Sequence, residues 1–293
     1  MKILVTGGCG FIGSNLVDLL VQDKNNEVVV VDNLDTGKKE NGNKLAHYIY
    51  ADIREVFAPN CSEQHPLLSD VKIVYHLAAL ARIQPSFKNP QLTLDINAHG
   101  TGLVCEYATK IGAKVVYAGS SSFYAGVYLN PYAFSKWQGE EICKMYSKVC
   151  GLSAVVARFF NVYGPRHLCD GPYATVVGIF EKQFLSQQPL TVTGSGEQRR
   201  DFTHVNDICR GLVAMAQHEH QGEIFNLGTG KNHSINELAS RFSGASIKYI
   251  PKRPGEAWIT LADISKTLEK VDWGPKKQLE KYIKDFVDKN KAK

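Results

Sequence analysis

The chain has no uninterrupted apolar run approaching the ~20 residues that a membrane-crossing helix requires, so no membrane partner is expected. It has no C-x-x-C pair, and its seven cysteines are odd in number and irregularly spaced. That pattern argues against a disulfide framework and against a zinc site. The nearest thing to a metal motif, His218-Glu219-His220, lacks the i, i+4 spacing that sets two histidines on one helix face. It reads as a solvated loop, and no metal is expected. There is also no concentrated basic stripe interleaved with aromatics, so nucleic-acid binding is not expected. The tail KKQLEKYIKDFVDKNKAK mixes lysines with acids and reads as an amphipathic surface helix. A formal net charge of +5 over 293 residues is mild and suits a small anionic ligand. No internal repeat or low-complexity linker interrupts the chain. The opening MKILVTGGCG breaks its apolar run at Thr6-Gly7-Gly8, too early for the core of a signal peptide. It reads as a first β-strand, and the expected location is the cytoplasm.

What is present is an alternation. KILVTG, EVVVVD, HYIYAD, VKIVYHLA and KVVYAGS are short and rich in Val, Ile and Tyr, as buried strands are. Between several of them lie the helix-like stretches FIGSNLVDLLVQ, QLTLDINAHGTGLVCEYATKIG and PYAFSKWQGEEICKMYSKVCG. Strand–helix alternation predicts an α/β fold with a doubly wound parallel sheet covered on both faces. From about Phe159 the pattern changes: Gly, Pro and Arg accumulate in NVYGPRHLCDGPYA, TGSGEQRRDF and PKRPGEAW, while EIFNLGTG at 223–230 again reads as a strand. The expected organisation is a sheet domain over 1–158, with a returning segment at about 201–228. A smaller, interleaved domain would occupy most of 159–293.

Gly7, Gly10 and Gly13 follow the first strand directly and open the first helix with G-x-x-G-x-x-G spacing; Phe11 and Ile12 lie between the last two. Glycines there let the backbone turn, approach a pyrophosphate and pack helix on strand, with the helix N-terminus facing the phosphates. Cys9 inside the loop reads as a small filler. Asp32 ends the second strand about 20 residues on, where a carboxylate suits adenosine ribose hydroxyls and repels a 2′-phosphate. This Rossmann pattern favours NAD over NADP.

Tyr132 and Lys136 are four residues apart and share a helix face if the segment is helical. A neighbouring ammonium favours the phenolate and is expected to pull the tyrosine pKa down from about 10, as a general base needs. Ser120, at the end of KVVYAGS, is placed to hydrogen-bond the same hydroxyl. The plainer alternative is a buried Tyr132 beside a solvated Lys136.

The glycine spacing, Val31-Asp32-Asn33-Leu34, Ala51-Asp52-Ile53-Arg54, His76-Leu77-Ala78-Ala79 and Tyr132-x-x-x-Lys136 together resemble the extended short-chain dehydrogenase/reductase family, the NAD-dependent nucleotide-sugar epimerases and dehydratases. The likeness continues through Arg158-Phe-Phe-Asn161-Val-Tyr-Gly-Pro-Arg166, Arg200-Asp-Phe-Thr-His-Val-Asn-Asp207 and Arg253-Pro-Gly-Glu256, so it spans nearly the whole chain. The resemblance implies that Asn33, Asp52 and Ile53 contact the adenosine end of NAD, and that Leu77, Ala78 and Ala79 line the cofactor with Asn97 and Phe159. It implies catalytic roles for Ser120, Tyr132 and Lys136, with Ser122 as a second contact. Arg200 and Arg253 would grip a nucleotide diphosphate, and Asn161 would donate a hydrogen bond to it.

Two departures from the family pattern bear on the reaction. Relatives that dehydrate or decarboxylate carry a carboxylate just after the catalytic Ser/Thr; here those positions are Ser121 and Ser122. About a dozen residues that usually separate the Tyr-Gly from the Pro-Tyr-x-x-Ser-Lys are missing, so Tyr124 runs almost directly into Tyr132 and a more open pocket is expected. In related 4-epimerases a small residue seven after the second phosphate arginine admits N-acetyl sugars, and here it is Thr260. The resemblance therefore implies a UDP-sugar 4-epimerase acting on UDP-N-acetylhexosamines, and on UDP-hexoses alongside them, through a transient 4-keto sugar. A homodimer pairing helices 92–111 and 131–149 would accompany it. A nucleotide-sugar 4-ketoreductase and a non-catalytic NAD-binding protein are the alternatives.

Overall fold

The computed structural model describes residues 1–59, 61, 65–217 and 221–291. His218-Glu219-His220 lie outside the described residues. Seven strands form one sheet in the order β11-β6-β5-β4-β1-β2-β3. These are β1 (Lys2–Thr6), β2 (Glu27–Val31), β3 (His47–Ile49), β4 (Ile73–His76), β5 (Lys114–Ser120), β6 (Ala154–Phe159) and β11 (Gln221–Leu227). Every pairing within it is parallel. Residues 221–227 thus return to the sheet edge beside β6. The remaining strands make small pairs: β7 (Val162–Tyr163) with β10 (Thr203–His204), β8 (Leu190–Thr193) with β13 (Ile247–Ile250), and β9 (Arg199–Asp201) with β12 (Asn232–Ser234).

The helices are α1 (Phe11–Leu20), α2 (Ile53–Val56), α3 (Ile83–Lys88), α4 (Pro90–Leu94), α5 (Gly100–Ile111) and α6 (Pro131–Val149) in the first part. They continue as α7 (Val176–Leu185), α8 (Val205–Ala216), α9 (Ile235–Ser240), α10 (Ser265–Lys270) and α11 (Leu279–Lys291). Successive strand side chains point to opposite faces. Ile3, Val5, Val28 and Val30 pack on Leu16 and Val17 of α1 and on Ile208 and Leu212 of α8. Leu4, Val29, Val31 and Val115 pack on Val104 and Ala108 of α5 and on Cys143 of α6. Both faces are covered, which is why these strands read as unbroken apolar runs. A third core joins Phe180 of α7, Leu190 and Val192 of β8, Leu238 of α9 and Ile283 of α11.

Residues 91–112 read as one helix in sequence. The structure inserts a π turn at Asp95–His99 between α4 and α5. Among the described residues no helix is long and apolar enough to cross a membrane.

Candidate active site

Strand order reverses at β1, which lies between β4 and β2, and the loops at the carboxyl ends there open onto a cavity of about 490 Å³. Its walls include Gly7, Gly10, Phe11, Ile12, Gly13 and Asp32. Gly7 has φ +73°, and a Cβ there would lie 2.7 Å from the backbone nitrogen of Ala78. A Cβ on Gly13 would lie 2.1 Å from the Gly7 carbonyl oxygen. The chain thus closes a turn that only glycine fits. Gly10 caps α1 without a side-chain acceptor, so the first N–H groups of the helix stay available at the cavity wall.

Asp32 accepts a hydrogen bond from the Cys9 N–H on one oxygen and from the Leu34 N–H on the other, both at 2.8 Å. A carboxylate has about four acceptor sites, so capacity remains for two vicinal hydroxyls. Burial, with Asp32 nearby, pushes the Cys9 thiol up to about 12, as suits an inert filler. The glycine cradle, the free helix start and the half-satisfied Asp32 fit a dinucleotide.

Ile53, Asn33, Leu77, Ala78, Ala79 and Phe159 also line the cavity. Asp52 and Asn97, behind that wall, hydrogen-bond within the protein. The Asp52 carboxylate receives Arg54 N–H and Nε–H on Oδ1, and Arg54 Nη2 and Asn33 Nδ2 on Oδ2. Its acceptor sites are filled, and the Arg54 bonds hold its pKa down. Asn97, 1% exposed, sits in the π turn. It accepts from the Leu80 N–H at 2.8 Å and donates to the Leu80 carbonyl and to Ser135 Oγ. It ties the loop after β4 to α6 and so positions the wall behind Tyr132.

Ser120 ends β5, and Tyr132 and Lys136 lie on the first turns of α6. Asn130 caps that helix by accepting from the Ala133 N–H at 2.7 Å, and Pro131 at the first helical position costs no intrahelical bond. Tyr132 Oη is 3.3 Å from Ser120 Oγ, and Ser122 Oγ is 2.9 Å from the same atom. The Ser122 N–H also points at Ser120 Oγ. A hydroxyl has two acceptor sites and one donor, so Ser120 donates to one of its two hydroxyl neighbours.

The expected depression of the Tyr132 pKa is not found. Burial raises it, helped by the Glu140 carboxylate, against the lowering effects of the Ser120 hydrogen bond and of Arg82. Lys136 is itself 4% exposed and is pushed down to about 8, chiefly by burial. Its ammonium lies 4.2 Å from the centre of the Tyr117 ring.

The sequence reading missed several groups that support this triad. Glu140, on the same helix as Lys136, forms a buried pair with Arg158 of β6, with Nη2 to Oε2 at 2.6 Å. The Arg158 guanidinium stacks 3.6 Å from the Phe123 ring centre, beneath the turn that follows Ser120. Tyr132 N–H donates to Ser86 Oγ at 3.1 Å. Against Phe11 of α1, the buried His167 pairs with Glu181 at 2.8 Å. Burial opposes charge on His167, but contacts with Cys169 and Glu181 outweigh it and hold its pKa up to about 9.

On the facing wall Arg200, Arg253, Asn161 and Thr260 all reach the cavity, as does Ser122 beside Ser120. Asn161 is not free to donate through its side chain. Its Nδ2 already donates to the Asp201 carbonyl and to Thr260 Oγ1, each at 3.0 Å, which uses both amide hydrogens. Thr260 is 5% exposed and is locked under Asn161 by that contact. The short connection after Tyr124 turns at Gly126, φ +114°, and delivers Asn130, whose Nδ2 donates to the Gly255 carbonyl at 3.0 Å. The short connection thus meets the 253–256 loop at Asn130.

The model of the NAD dependent epimerase/dehydratase family matches residues 3–228. A Methanocaldococcus jannaschii protein provisionally named a UDP-glucose 4-epimerase is 36% identical, over 98% of this chain and 97% of its own. UDP-glucuronic acid decarboxylase 1 of Arabidopsis thaliana is 33% identical, over 98% of this chain and 69% of its own. The crystal structure of UDP-glucose 4-epimerase from Thermotoga maritima with UDP-glucose superposes with a TM-score of 0.91 at 32% identity, covering 100% of this chain and 99% of that one. With the sheet, the glycine cradle and the Ser-Tyr-Lys cluster in place, the chain belongs to the NAD dependent epimerase/dehydratase family.

Proposed function

We propose that the protein is a UDP-sugar 4-epimerase working with NAD. The observation that carries this reading is the Ser120–Tyr132 contact with Lys136 one turn on, in the wall of the same cavity that the glycine cradle lines. Gly10, Phe11, Ile12 and Gly13 would hold the pyrophosphate of NAD on the α1 N-terminus, and Asp32 its adenosine ribose. Bound NAD supplies the hydride acceptor and donor, and its nicotinamide adds positive charge to the cavity.

The protein's own groups move the proton. Tyr132 takes it from the sugar O4 and returns it after the 4-keto sugar has presented its other face. Ser120, hydrogen-bonded to Tyr132, steadies the phenolate. Lys136 holds the nicotinamide ribose. Arg200 and Arg253 serve the diphosphate. Thr260 leaves room for an N-acetyl group, so UDP-N-acetylhexosamines are included with UDP-hexoses.

Elimination and decarboxylation are disfavoured, because the positions after Ser120 hold Ser121 and Ser122 and the wall carboxylates are Asp32, Asp35 and Glu256. We further propose a homodimer through α4–α5 and α6, supported by the exposed Leu92 and Met145 on those helices. Light scattering of purified protein tests it; a monomer at micromolar concentration overturns it.

Purified protein incubated without added cofactor with UDP-N-acetylglucosamine, and separately with UDP-glucose, should yield the C4 epimer. Tyr132→Phe should retain NAD and lose turnover by about 10²–10⁴-fold. Stoichiometric consumption of reduced cofactor, or no epimer even with NAD supplied, would sink the assignment.

A further inference from the structure

Asn130 stands two residues before Tyr132, in the wall of the same cavity. It is 5% exposed and is the first buried residue after Ser121. Tyr128 and Leu129 just before it are exposed, so the chain reaches α6 along the surface. Three bonds fix Asn130. Its carbonyl accepts from the Phe134 N–H at 3.2 Å, its Oδ1 accepts from the Ala133 N–H at 2.7 Å, and its Nδ2 donates to the Gly255 carbonyl at 3.0 Å. The first two begin the helix. The third lies outside it. A cap needs only an acceptor, which Ser, Thr and Asp supply as well. What Asn adds to these is an amide NH2 donor, and here it is directed at the 253–256 loop.

The same loop grips the neighbouring helix. Gln84 Nε2 of α3 donates to the Pro254 carbonyl at 2.9 Å, and a Cβ on Gly255 would lie 2.8 Å from the Phe87 ring. Ser86, between them on α3, accepts from the Tyr132 N–H at 3.1 Å. The 253–256 loop therefore reaches Tyr132 by two routes, through the cap of α6 and through α3. Arg253 at the head of that loop lies in the cavity wall.

At the far end of the Tyr132 side chain the tolerance is small. Oη is 3.3 Å from Ser120 Oγ, longer than the usual O–H···O distance of about 2.5–3.0 Å. Ser120 ends β5, which is paired on both sides within the sheet and cannot follow a moving helix. A tilt of the first turn of α6 would therefore open this contact. We infer that Asn130 is a positioning residue: by tying the start of α6 to the 253–256 loop, it holds Tyr132 Oη within reach of Ser120. This inference rests on the epimerase reading for the role of Tyr132. It puts the loop that carries Arg253 and the helix that carries the base on one junction, so the diphosphate end and the reacting end of a substrate are held in a fixed relation.

The test compares NAD-loaded wild type with Asn130→Ser and Asn130→Asp, which keep a helix cap and lose the donor to Gly255. Three quantities are read on the full chain: kcat with saturating UDP-N-acetylglucosamine or UDP-glucose, the dissociation constant of UDP by calorimetry, and the thermal midpoint. The expected result is a fall in kcat of about 10- to 100-fold, as misplacing a reacting group by about 1 Å produces, with UDP affinity and midpoint unchanged. Asn130→Asp should lose more than Asn130→Ser, because its carboxylate faces the Gly255 carbonyl. An unchanged kcat in both variants overturns the inference. So does a weaker UDP affinity with kcat intact, which makes the bond an anchor for Arg253 alone. A fall in kcat matched by a lower midpoint in Asn130→Ser also overturns it, since general loosening then explains the loss. Failure of the epimerase reading shows separately, as the absence of any C4 epimer from wild-type protein with either sugar.

Discussion

Lys136 holds a charge where the fold gains little by it. It is 4% exposed, burial brings its pKa down to about 8, and the compensation in view is the attraction of Glu140 and the Tyr117 face at 4.2 Å. The drop from the ordinary lysine value of about 10.4 corresponds to a cost on the order of 3 kcal/mol to the folded state. Because the folded pKa is depressed, that cost is fully present below about pH 8 and fades as pH rises towards 10.5. Lys136→Met should therefore abolish turnover while raising the thermal midpoint of cofactor-free protein at pH 7, and the gap to wild type should narrow between pH 8 and 10.5. Equal midpoints at pH 7 would mean that the ammonium is not desolvated. That Tyr132 and Lys136 share one helix was legible from sequence alone. The direction of the Tyr132 shift was not, because spacing says nothing about depth, and here burial outweighs the hydrogen bond with Ser120. The hydrogen bonds of Asp52 and Asn97 were not legible for a related reason: a motif names a residue type, while Arg54 and Leu80 decide which way its hydrogen bonds run.

Between elements, the Glu140–Arg158 pair fastens α6 to β6, and Arg158 carries Phe123 of the turn after Ser120 on its face. It therefore fixes the distance between the strand end that bears Ser120 and the helix that bears Tyr132. Glu140→Gln leaves a buried guanidinium uncompensated and should cost about 3–5 kcal/mol in urea denaturation. Replacing both partners, Glu140→Leu with Arg158→Met, should recover most of that stability but not the turnover, since the Phe123 platform is lost. Full recovery of turnover by the double variant would make the pair a matter of stability only. The strands and long helices that this pair joins were readable, because apolar runs and the 3.6-residue period are local signals. The pair itself was not, since residues 18 apart meet only once the sheet has formed. Nor was the π turn at Asp95–His99, which Asn97 stabilises through contacts to Leu80 and Ser135.

At the scale of the whole molecule, the cavity lies between the carboxyl ends of the sheet and the loops of residues 161–175 and 253–260. Hydrogen bonds that latch the two sides include Asn15 to the Pro165 carbonyl, Arg166 to Asp18, Arg82 to Tyr173, Gln84 to Pro254 and Asn130 to Gly255. A dinucleotide filling the cleft would touch both sides, so its binding should be felt as global stability. For protein stripped of nucleotide, NAD at 100 times its dissociation constant should add about 2.7 kcal/mol. For a chain of 293 residues that is roughly 4 °C in the thermal midpoint. NADP at the same concentration should give a much smaller shift. Its 2′-phosphate would meet the Asp32 carboxylate, which Cys9 and Leu34 hold in place and which cannot swing aside without giving up both N–H bonds. Equal shifts from the two nucleotides would remove Asp32 from the ribose and place the adenosine elsewhere in the cleft. A shift from NAD that survives Tyr132→Phe separates cofactor binding, which belongs to the glycine cradle and Asp32, from proton transfer, which belongs to α6.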